Sequence, residues 1–144
     1  MGQSHQRPRR LLGLDPGQRR IGVALSDELG LFAHPRPAII TGRTDAFAAI
    51  ARIVQEEDVG EVVVGLPLSL SGDSSAQTDE ARAFPSRLRE RLSVPVSEWD
   101  ERLSSVEAAR SGAGRGKRNS GELDSAAAAV VLQAVLDSRR GAPA

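Results

Sequence analysis

Short apolar runs separated by turn residues occupy the first part of the chain. Two of them, residues 11–14 and 21–25, flank the dipeptide Pro16-Gly17, a pattern typical of an antiparallel β-hairpin. The first run lacks polar alternation, which predicts a central strand covered on both faces. Three glycines of this hairpin leave room for another backbone or a phosphate to approach closely: Gly13, Gly17 and Gly22.

Similar apolar runs recur later in the chain and complete a set of five predicted strands. We predict strands at residues 10–15, 20–26, 31–34, 61–66 and 94–99, with the first beside the fourth. Pro35 and Pro37 are expected to end the third strand, because proline cannot donate to a strand ladder.

The apolar period changes to that of a helix between residues 44 and 60. Apolar residues there recur at i, i+3, i+4 and i+7, namely Phe47, Ile50, Ala51 and Val54. Thr44 is predicted to cap the start of this helix and Gly60 its end.

Two further helical stretches follow. The apolar positions of the first are Ala81, Phe84, Leu88 and Leu92. Pro85 lies among them and is predicted to kink the helix or to start a new one. Ser104 and Glu107 form a capping box for a short helix, and a last helix is predicted from about residue 122 to residue 139. Strands first, then alternating helices and strands, predict an α/β domain of three layers, with a mixed five-stranded sheet flanked by helices.

Composition limits the class of protein. The 144 residues suit one domain, residues 11–139, between a disordered basic arm at 1–10 and a tail at 140–144. Lys plus Arg and Asp plus Glu number 19 each, so net charge gives no overall attraction to nucleic acid. The lack of cysteine excludes disulfides, thiolate metal sites and thiol nucleophiles. No secretory signal or bilayer-spanning run is present in the sequence, so we expect a soluble cytoplasmic protein without a membrane partner.

Carboxylates recur where the predicted strands end. Asp15 closes the first strand, and Asp100 and Glu101 follow the last one, so these acids are expected to flank one crevice. Asp124 shares a helix face with apolar residues, which directs its carboxylate toward the sheet. Taken alone, each acid could instead have a structural role, such as capping a turn or interacting favourably with a helix dipole.

Together these acids predict a cation site. Clustered carboxylates repel one another unless a cation lies among them, and an all-oxygen cluster without His or Cys favours Mg²⁺ or Mn²⁺. Carboxylate-bound pairs of such ions, roughly 3.5–4 Å apart, hydrolyse phosphodiester bonds. Asp100 is a candidate additional ligand.

Basic residues lie close to these acids in sequence. Arg19 and Arg20 follow the Pro-Gly turn, and Arg102 adjoins Glu101. A stretch without any acid then leads to the last helix and contains Arg115, Lys117 and Arg118. These cations are predicted to bind the phosphate backbone; the alternatives are ion pairs that orient the carboxylates and a solvated loop.

Four segments in order resemble the YqgF (RuvX) family across residues 11–137. They are Leu-Asp-Pro-Gly-Gln-Arg-Arg-Ile-Gly-Val-Ala-Leu-Ser-Asp at 14–27, Val64-Gly-Leu-Pro-Leu, Trp99-Asp-Glu-Arg-Leu-Ser-Ser and Leu123-Asp-Ser-Ala-Ala-Ala. The resemblance implies an RNase H-like fold related to Holliday junction resolvases and a bacterial role in maturing the 5′ end of pre-16S rRNA. It also implies that Asp15, Glu101 and Asp124 bind the metal.

The sequence departs from the family pattern in three places. Ser104-Ser105 replaces a usual pair of threonines, and Pro85 intrudes into a helix that normally continues. True resolvases show a fourth acid three residues from the last one, whereas Gly121 and Ala127 occupy those positions here.

Three functions remain open at the level of sequence. The first is a metal-dependent nuclease acting on structured RNA such as pre-16S rRNA, with ribosomal precursor particles as partners. The second is a junction-resolving nuclease acting on branched DNA, and the third is a non-catalytic module that binds nucleic acid or ribosomes. The chain has no Tyr and one Trp, so recognition is expected to rest on the shape and backbone of the nucleic acid. Both a monomer and a homodimer are compatible with the sequence.

Overall fold

The computed structural model describes residues 9–43, 45–66, 76–101 and 120–141, which form five strands and three helices. In chain order the elements are β1 (Arg10–Pro16), β2 (Arg20–Ser26), β3 (Ala33–Ile40), α1 (Ala46–Glu56), β4 (Val59–Leu66), α2 (Ala76–Arg91), β5 (Val96–Asp100) and α3 (Ser120–Arg139). Of the predicted arm, residues 9 and 10 belong to the described part, and Arg10 opens β1. The predicted short helix at 104–107 lies outside the described residues.

The five strands form one mixed sheet in the order β3-β2-β1-β4-β5. β1 pairs antiparallel with β2 and parallel with β4, and β4 pairs parallel with β5. The predicted neighbourhood of the first and fourth strands is therefore confirmed. Because β1 is the central strand, its carboxyl end lies between two neighbouring strands that can both contribute to a site.

Side chains alternate along the strands and divide the protein into three layers. Leu12 and Leu14 of β1 pack with Val62 and Val64 of β4 against α1 and α2, where Ile50 is fully buried. Residues of the opposite parity pack against α3, in clusters that include Leu11, Val63, Ala128, Val131 and Leu132. The sheet is thus covered on both faces, as the unbroken apolar run of β1 predicted.

Helix α3 packs unusually close to the sheet because glycines face it. A Cβ atom added to Gly13 would lie 3.0 Å from Cβ of Leu132 and 3.3 Å from the carbonyl oxygen of Ala128. One added to Gly22 would lie 2.0 Å from the carbonyl oxygen of Asp124. The prediction that these two glycines admit another backbone is confirmed, and that backbone belongs to α3.

Polar contacts fasten the other end of α3. Arg139 donates through both terminal nitrogens to the carboxylate of Glu61 at 2.7 and 2.8 Å, and Ser97 donates to the same carboxylate at 2.6 Å. The Arg139 guanidinium and then the Ser97 hydroxyl lower the pKa of Glu61, against the opposing effect of burial. Gln133 bridges the helix to the start of β3 by accepting from the Ala33 N–H at 2.9 Å.

The predicted end of the third strand is wrong. β3 begins at Ala33 and continues through Pro35 and Pro37 to Ile40. The physical reason is its position at the sheet edge, where a missing N–H leaves no neighbour unsatisfied. The pairing of β2 with β3 also shifts register between Ile21 and Val23, a bulge-like irregularity next to these prolines.

The predicted ends of the first helix are also wrong. Asp45 is the N-cap of α1, because its carboxylate accepts the N–H groups of Phe47 and Ala48; Thr44 lies outside the described residues. The helix ends at Glu56, Asp58 adopts a positive φ of 53°, and Gly60 already belongs to β4. Asp58, two residues after the last helical residue, therefore adopts the left-handed conformation in place of Gly60.

Helix α2 runs without interruption from Ala76 to Arg91, with Pro85 inside it. The start of a new helix at Pro85 is therefore not found. Phe84, Leu88 and Leu92 pack against the apolar core as predicted, and Phe84 contacts the ring of Phe47 at 5.6 Å between centroids. Among the described helices, none is both long and apolar enough to cross a membrane.

Candidate active site

Asp15 lies at the carboxyl end of the central strand and is 3% exposed. It has the same strand parity as Gly13, so it lies on the α3 face of the sheet. Its register partner on β2 is Gly22. On the other side, Gly65 of β4 follows Val64, the register partner of Leu14, and therefore lies beside Asp15. The buried carboxylate is thus flanked on both neighbouring strands by residues without side chains.

The space above Gly22 is filled by the backbone of α3 at Asp124. The carbonyl carbon of Asp124 would lie 2.4 Å, and the Ser125 nitrogen 2.9 Å, from a Cβ atom added to Gly22. The hydroxyl of Ser125 also accepts the Val23 N–H at 3.1 Å, in a fully buried contact. Gly22 and Ser125 together hold the first turns of α3 against β2, at the strand position paired with Asp15.

The space above Gly65 is filled by the side chain of Glu101. A Cβ atom added to Gly65 would lie 3.0 Å from Oε2 and 3.3 Å from Cγ of Glu101, and 3.2 Å from a methyl carbon of Val131. Glu101 is 8% exposed and follows β5 directly. Its carboxylate therefore lies between β4 and α3, on the face that also carries Asp15.

Strand alternation places Asp100, the last residue of β5, and Glu101, which follows it, on opposite faces of the sheet. Val96 packs into the core beneath α2, and Glu98 forms an ion pair with Arg89 of α2 at 3.0 Å. Asp100 has the parity of these two residues, whereas Glu101 has the parity of Trp99, which packs against α3. This alternation favours Glu101 over Asp100 as the acid that accompanies Asp15.

The donor set is chemically suited to a hard divalent cation. Asp15, Glu101 and Asp124 supply carboxylate oxygens from a strand, a strand end and a helix, and two of these side chains are buried. Within the part of the chain that the structure describes, however, no three His, Cys, Asp or Glu side chains are already gathered as metal ligands. Metal binding by the three acids, and by Asp100, stays a prediction.

The sequence did not identify two residues on which this arrangement depends. Gly65 and Ser125 were not among the predicted site residues, although both occur within the family-like segments. The available signals were a glycine in an otherwise β-branched run and a single hydroxyl in an alanine-rich stretch. Neither signal reveals its long-range partner, because Ser125 contacts a backbone group about a hundred residues earlier in the chain.

The predicted basic residues fall into two groups. Arg19 is exposed, and Arg20 is half-buried at the start of β2. Within the described residues, no hydrogen bond or ion pair joins the Arg20 side chain to a carboxylate, and its predicted role stays a prediction. Arg102, Arg115, Lys117 and Arg118 lie outside the described residues, and their predicted contact with phosphates stays untested.

A groove of about 690 Å³ opens beside the first turns of α3. One wall is β3, with Pro35, Pro37 and Ile40, and the other is α3, with residues 121–122 and 125–126. Arg20 lies at the groove, directly opposite Ile40 in the pairing of β2 with β3. Asp124 lies between these two α3 segments in sequence but does not itself line the groove.

Comparison with known proteins gives concordant results. A protein of Mesorhizobium japonicum named "Putative pre-16S rRNA nuclease" is 42% identical over 134 residues, covering 90% of this chain and 80% of the relative. A protein of Syntrophus aciditrophicus with the same name is 43% identical over 135 residues, covering 90% of this chain and 89% of the relative.

The fold has a counterpart among solved structures. RuvC of T. thermophilus, solved in complex with a Holliday junction substrate, superimposes with a TM-score of 0.57 at 16% identity. The match covers 92% of this chain and 96% of RuvC. This likeness and the observed strand order confirm the predicted RNase H-like fold, with a mixed five-stranded sheet between helices. A family model described as "RuvX: Holliday junction resolvase" matches residues 9–138, so the chain belongs to the RuvX family, as its four segments predicted.

Proposed function

We propose that this chain is a metal-dependent nuclease that matures the 5′ end of pre-16S rRNA, with Asp15, Glu101 and Asp124 as its catalytic acids. Hydrolysis of phosphodiester bonds follows from membership in the RuvX family and from the nuclease names of its relatives. The choice of pre-16S rRNA rests on those names. The observation that carries the site is the pair of glycines beside Asp15, which admit the backbone of Asp124 and the side chain of Glu101.

Electrostatics explains why such a site would bind a cation. Carboxylates drawn together repel one another and lose hydration on burial, and both effects favour protonation unless a positive charge compensates. Mg²⁺ or Mn²⁺ suits the oxygen donors of Asp15, Glu101 and Asp124. Such an ion, when bound, lowers the pKa of an attacking water and stabilises the charge that develops on the leaving oxygen.

The protein's own contribution is to position these acids. Asp15 is fixed by a central strand that is paired on both sides, and Glu101 by the space above Gly65. Asp124 is fixed by a helix that packs onto Gly22. Because the three acids come from rigid elements, their positions need little reorganisation when a phosphate arrives.

The substrate is expected to be held through its backbone. Arg20 is the best-placed described cation, since it lines the groove beside Asp124 without an ion pair in the described part of the chain. We propose that Arg19, Arg102, Arg115, Lys117 and Arg118 extend this phosphate contact. A cytoplasmic location, association with ribosomal precursor particles and action as a monomer or homodimer belong to the same proposal.

A second candidate function is the cleavage of branched DNA. The description of the matching family model as a Holliday junction resolvase favours it. A resolvase that cuts two strands symmetrically requires a two-fold dimer, whereas trimming of an RNA end does not.

One assay separates these possibilities. Purified protein is incubated with a 5′-extended pre-16S rRNA fragment or a four-way DNA junction, each with Mg²⁺, Mn²⁺ or EDTA. We expect cleavage of the RNA extension that depends on the metal. Preferred cleavage of the junction would instead support the resolvase, and binding of either substrate without cleavage under any condition would support the non-catalytic module.

The basic segment has its own test. Replacing Arg115, Lys117 and Arg118 together by Ala should weaken nucleic-acid binding and flatten its dependence on salt. Each lost phosphate contact should lower the slope of log affinity against log salt by about one unit. An unchanged slope in a folded variant would show that these side chains do not contact the backbone.

A further inference from the structure

We propose that the groove between β3 and α3 is a subsite for unpaired nucleotides of the substrate strand, formed in part by the helix turns that carry Asp124. This inference rests on the proposed nuclease function and adds the form in which the substrate enters: as a single strand beside the cleavage point.

The size of the groove suits single nucleotides better than a helical duplex. Its volume of about 690 Å³ lies within the range of roughly 300–1,000 Å³ typical of pockets for small ligands. A space of this size matches one or two nucleotides that have left the base stack, the state in which RNA-binding proteins contact individual bases.

The lining of the groove suits the three parts of a nucleotide. Pro35, Pro37 and Ile40 give an apolar wall for a base or a ribose, and Ile40 is 40% exposed. Arg20 supplies a cation for the phosphate, and Glu122 on the other wall can accept hydrogen bonds from a hydroxyl or an amino group. A bare phosphate would satisfy only one of these features.

Arg20 and Ile40 are coupled by the sheet. They are register partners on β2 and β3, so their side chains lie on the same face of the sheet. A phosphate bound by Arg20 would therefore place the attached sugar and base against the apolar wall that contains Ile40. The edge position of β3 leaves this wall open, because no further strand covers it in the described sheet.

The groove also lies against the first turns of α3, the helix that carries Asp124. Residues 121–122 and 125–126 line it, and Asp124 lies between these two segments of α3. Ser125 both lines the groove and accepts the Val23 N–H that fixes α3 to β2. A strand lying in the groove would thus contact the helix turn that carries one of the three acids.

Two variants that obstruct the groove, each with a matched control, test the subsite. Ala38→Phe fills the groove from a strand position that favours aromatic residues, and Ala48→Phe makes the same change on the exposed face of α1. Ile40→Glu places a carboxylate opposite Arg20, and Leu29→Glu makes a comparable change at a residue that is 73% exposed and lies away from the groove. Because Ile40 is itself partly exposed, Ile40→Glu keeps the test open if Ala38→Phe fails to fold.

The first measurement is binding without metal. A labelled single-stranded RNA of about four nucleotides is titrated into each protein and followed by fluorescence anisotropy, with a short RNA hairpin lacking unpaired ends as comparison. We expect both groove variants to bind the single strand about tenfold more weakly than the wild type, and both controls to bind it like the wild type.

The second measurement is cleavage with metal. The substrates are matched duplexes with and without about four unpaired nucleotides next to the cleavage point. The wild type and both controls should favour the extended substrate about tenfold in kcat/KM, and both groove variants should lose that preference.

The two proposals fail in different ways. Groove variants that bind the single strand and discriminate the substrates like the wild type would overturn the subsite and leave the nuclease intact. A wild type that cleaves neither substrate, while the groove variants lose single-strand binding, would overturn the nuclease and leave the subsite.

Discussion

The two faces of the sheet are built from the same strands and packed by opposite means. Toward α1 and α2, β1 and β4 present large aliphatic side chains such as Leu12, Leu14, Val62 and Val64, all of them fully buried. Toward α3, β1, β2 and β4 present glycines at positions 13, 22 and 65, and the space is filled by helix backbone and by Glu101.

The difference between the faces separates stability from chemistry. Large side chains on the α1/α2 face remove apolar surface from water, which is the main driving force for folding. Glycines on the α3 face bury little apolar surface of their own but bring backbone and carboxylates close to Asp15. We therefore expect substitutions on the first face to change stability alone and substitutions at the close contacts of the second face to change activity as well, and the predictions below test this division.

The largest effect is expected from Asp15→Asn, which keeps the shape of the side chain and removes its charge. Cleavage should fall by more than about a hundredfold, because changing even the outer partners of metal ligands costs 10–100-fold. Substrate binding should stay similar or tighten, and without metal the free energy of unfolding should not decrease, since one member of a repelling cluster is neutralised. Undiminished cleavage by a well-folded variant, free of contaminating nuclease, would refute the proposed role of Asp15.

Leu14→Ala probes the opposite face at the neighbouring position of the same strand. Leu14 is completely buried beneath α1 and α2, so truncation should lower the free energy of unfolding by about 2–5 kcal/mol. Below the unfolding transition, cleavage per folded molecule should remain close to that of the wild type. Chemical denaturation measures the free energy of unfolding, and cleavage rates divided by the concentration of folded protein measure activity. The exposed Leu29→Ala controls for lost side-chain volume.

Gly22→Ala should affect both properties. The added methyl group would lie 2.0 Å from the carbonyl oxygen of Asp124, so α3 must move away from β2 at a cost of about 1–3 kcal/mol or more. Because that movement displaces Asp124, cleavage per folded molecule should also fall. Gly42→Ala, where nothing lies within 4 Å, is the matched control. Full activity of folded Gly22→Ala would show that the close approach of α3 is not needed for catalysis.

Ser125→Ala removes the hydroxyl that accepts the buried Val23 N–H. The unsatisfied donor should cost about 1–3 kcal/mol, and Asp124 should become less well positioned. We expect a lower kcat and a changed dependence of activity on metal concentration. A purely structural defect would leave the metal dependence unaltered. Ser125→Thr, which keeps the hydroxyl, should rescue activity in part. The exposed Ser138→Ala on the same helix controls for the substitution itself.

The smallest effect is expected where Glu61 meets Arg139, at the end of α3 remote from the acids. The Arg139 guanidinium and the Ser97 hydroxyl lower the pKa of Glu61 below its ordinary value of 4.5. This contribution to stability is therefore complete above about pH 4.5 and is lost as the pH falls through the lowered pKa. Because the pair is partly exposed, its size should stay below about 1 kcal/mol.

A double-mutant cycle isolates that contribution. Glu61→Gln and Arg139→Gln should each flatten the loss of unfolding free energy between neutral and acidic pH, and the double variant should add no further flattening. Additive effects of the two substitutions would show that the pH dependence does not arise from the Glu61–Arg139 interaction.

The sequence by itself determined where most elements lie, because burial of one face imposes a local period that is visible along the chain. The unbroken apolar run of β1, the helical spacing of Phe47, Ile50 and Val54, and the apolar face of α3 all predicted elements that the structure contains. Asp15, Glu101 and Asp124 were also chosen as site candidates from local position and family resemblance, since each follows or begins an element.

Tertiary structure alone decided what depends on partners distant in sequence. β3 continues through two prolines because it is an edge strand, and the order of strands in the sheet is set by contacts between distant parts of the chain. Gly65 and Ser125 acquire their roles from Glu101 and Val23, and the parity of β5 separates Glu101 from Asp100. The groove exists only because β3 and the start of α3 meet across the sheet. A sequence records the periodicity of burial, whereas the identity of the neighbour across a sheet follows from the minimum of the whole chain's free energy.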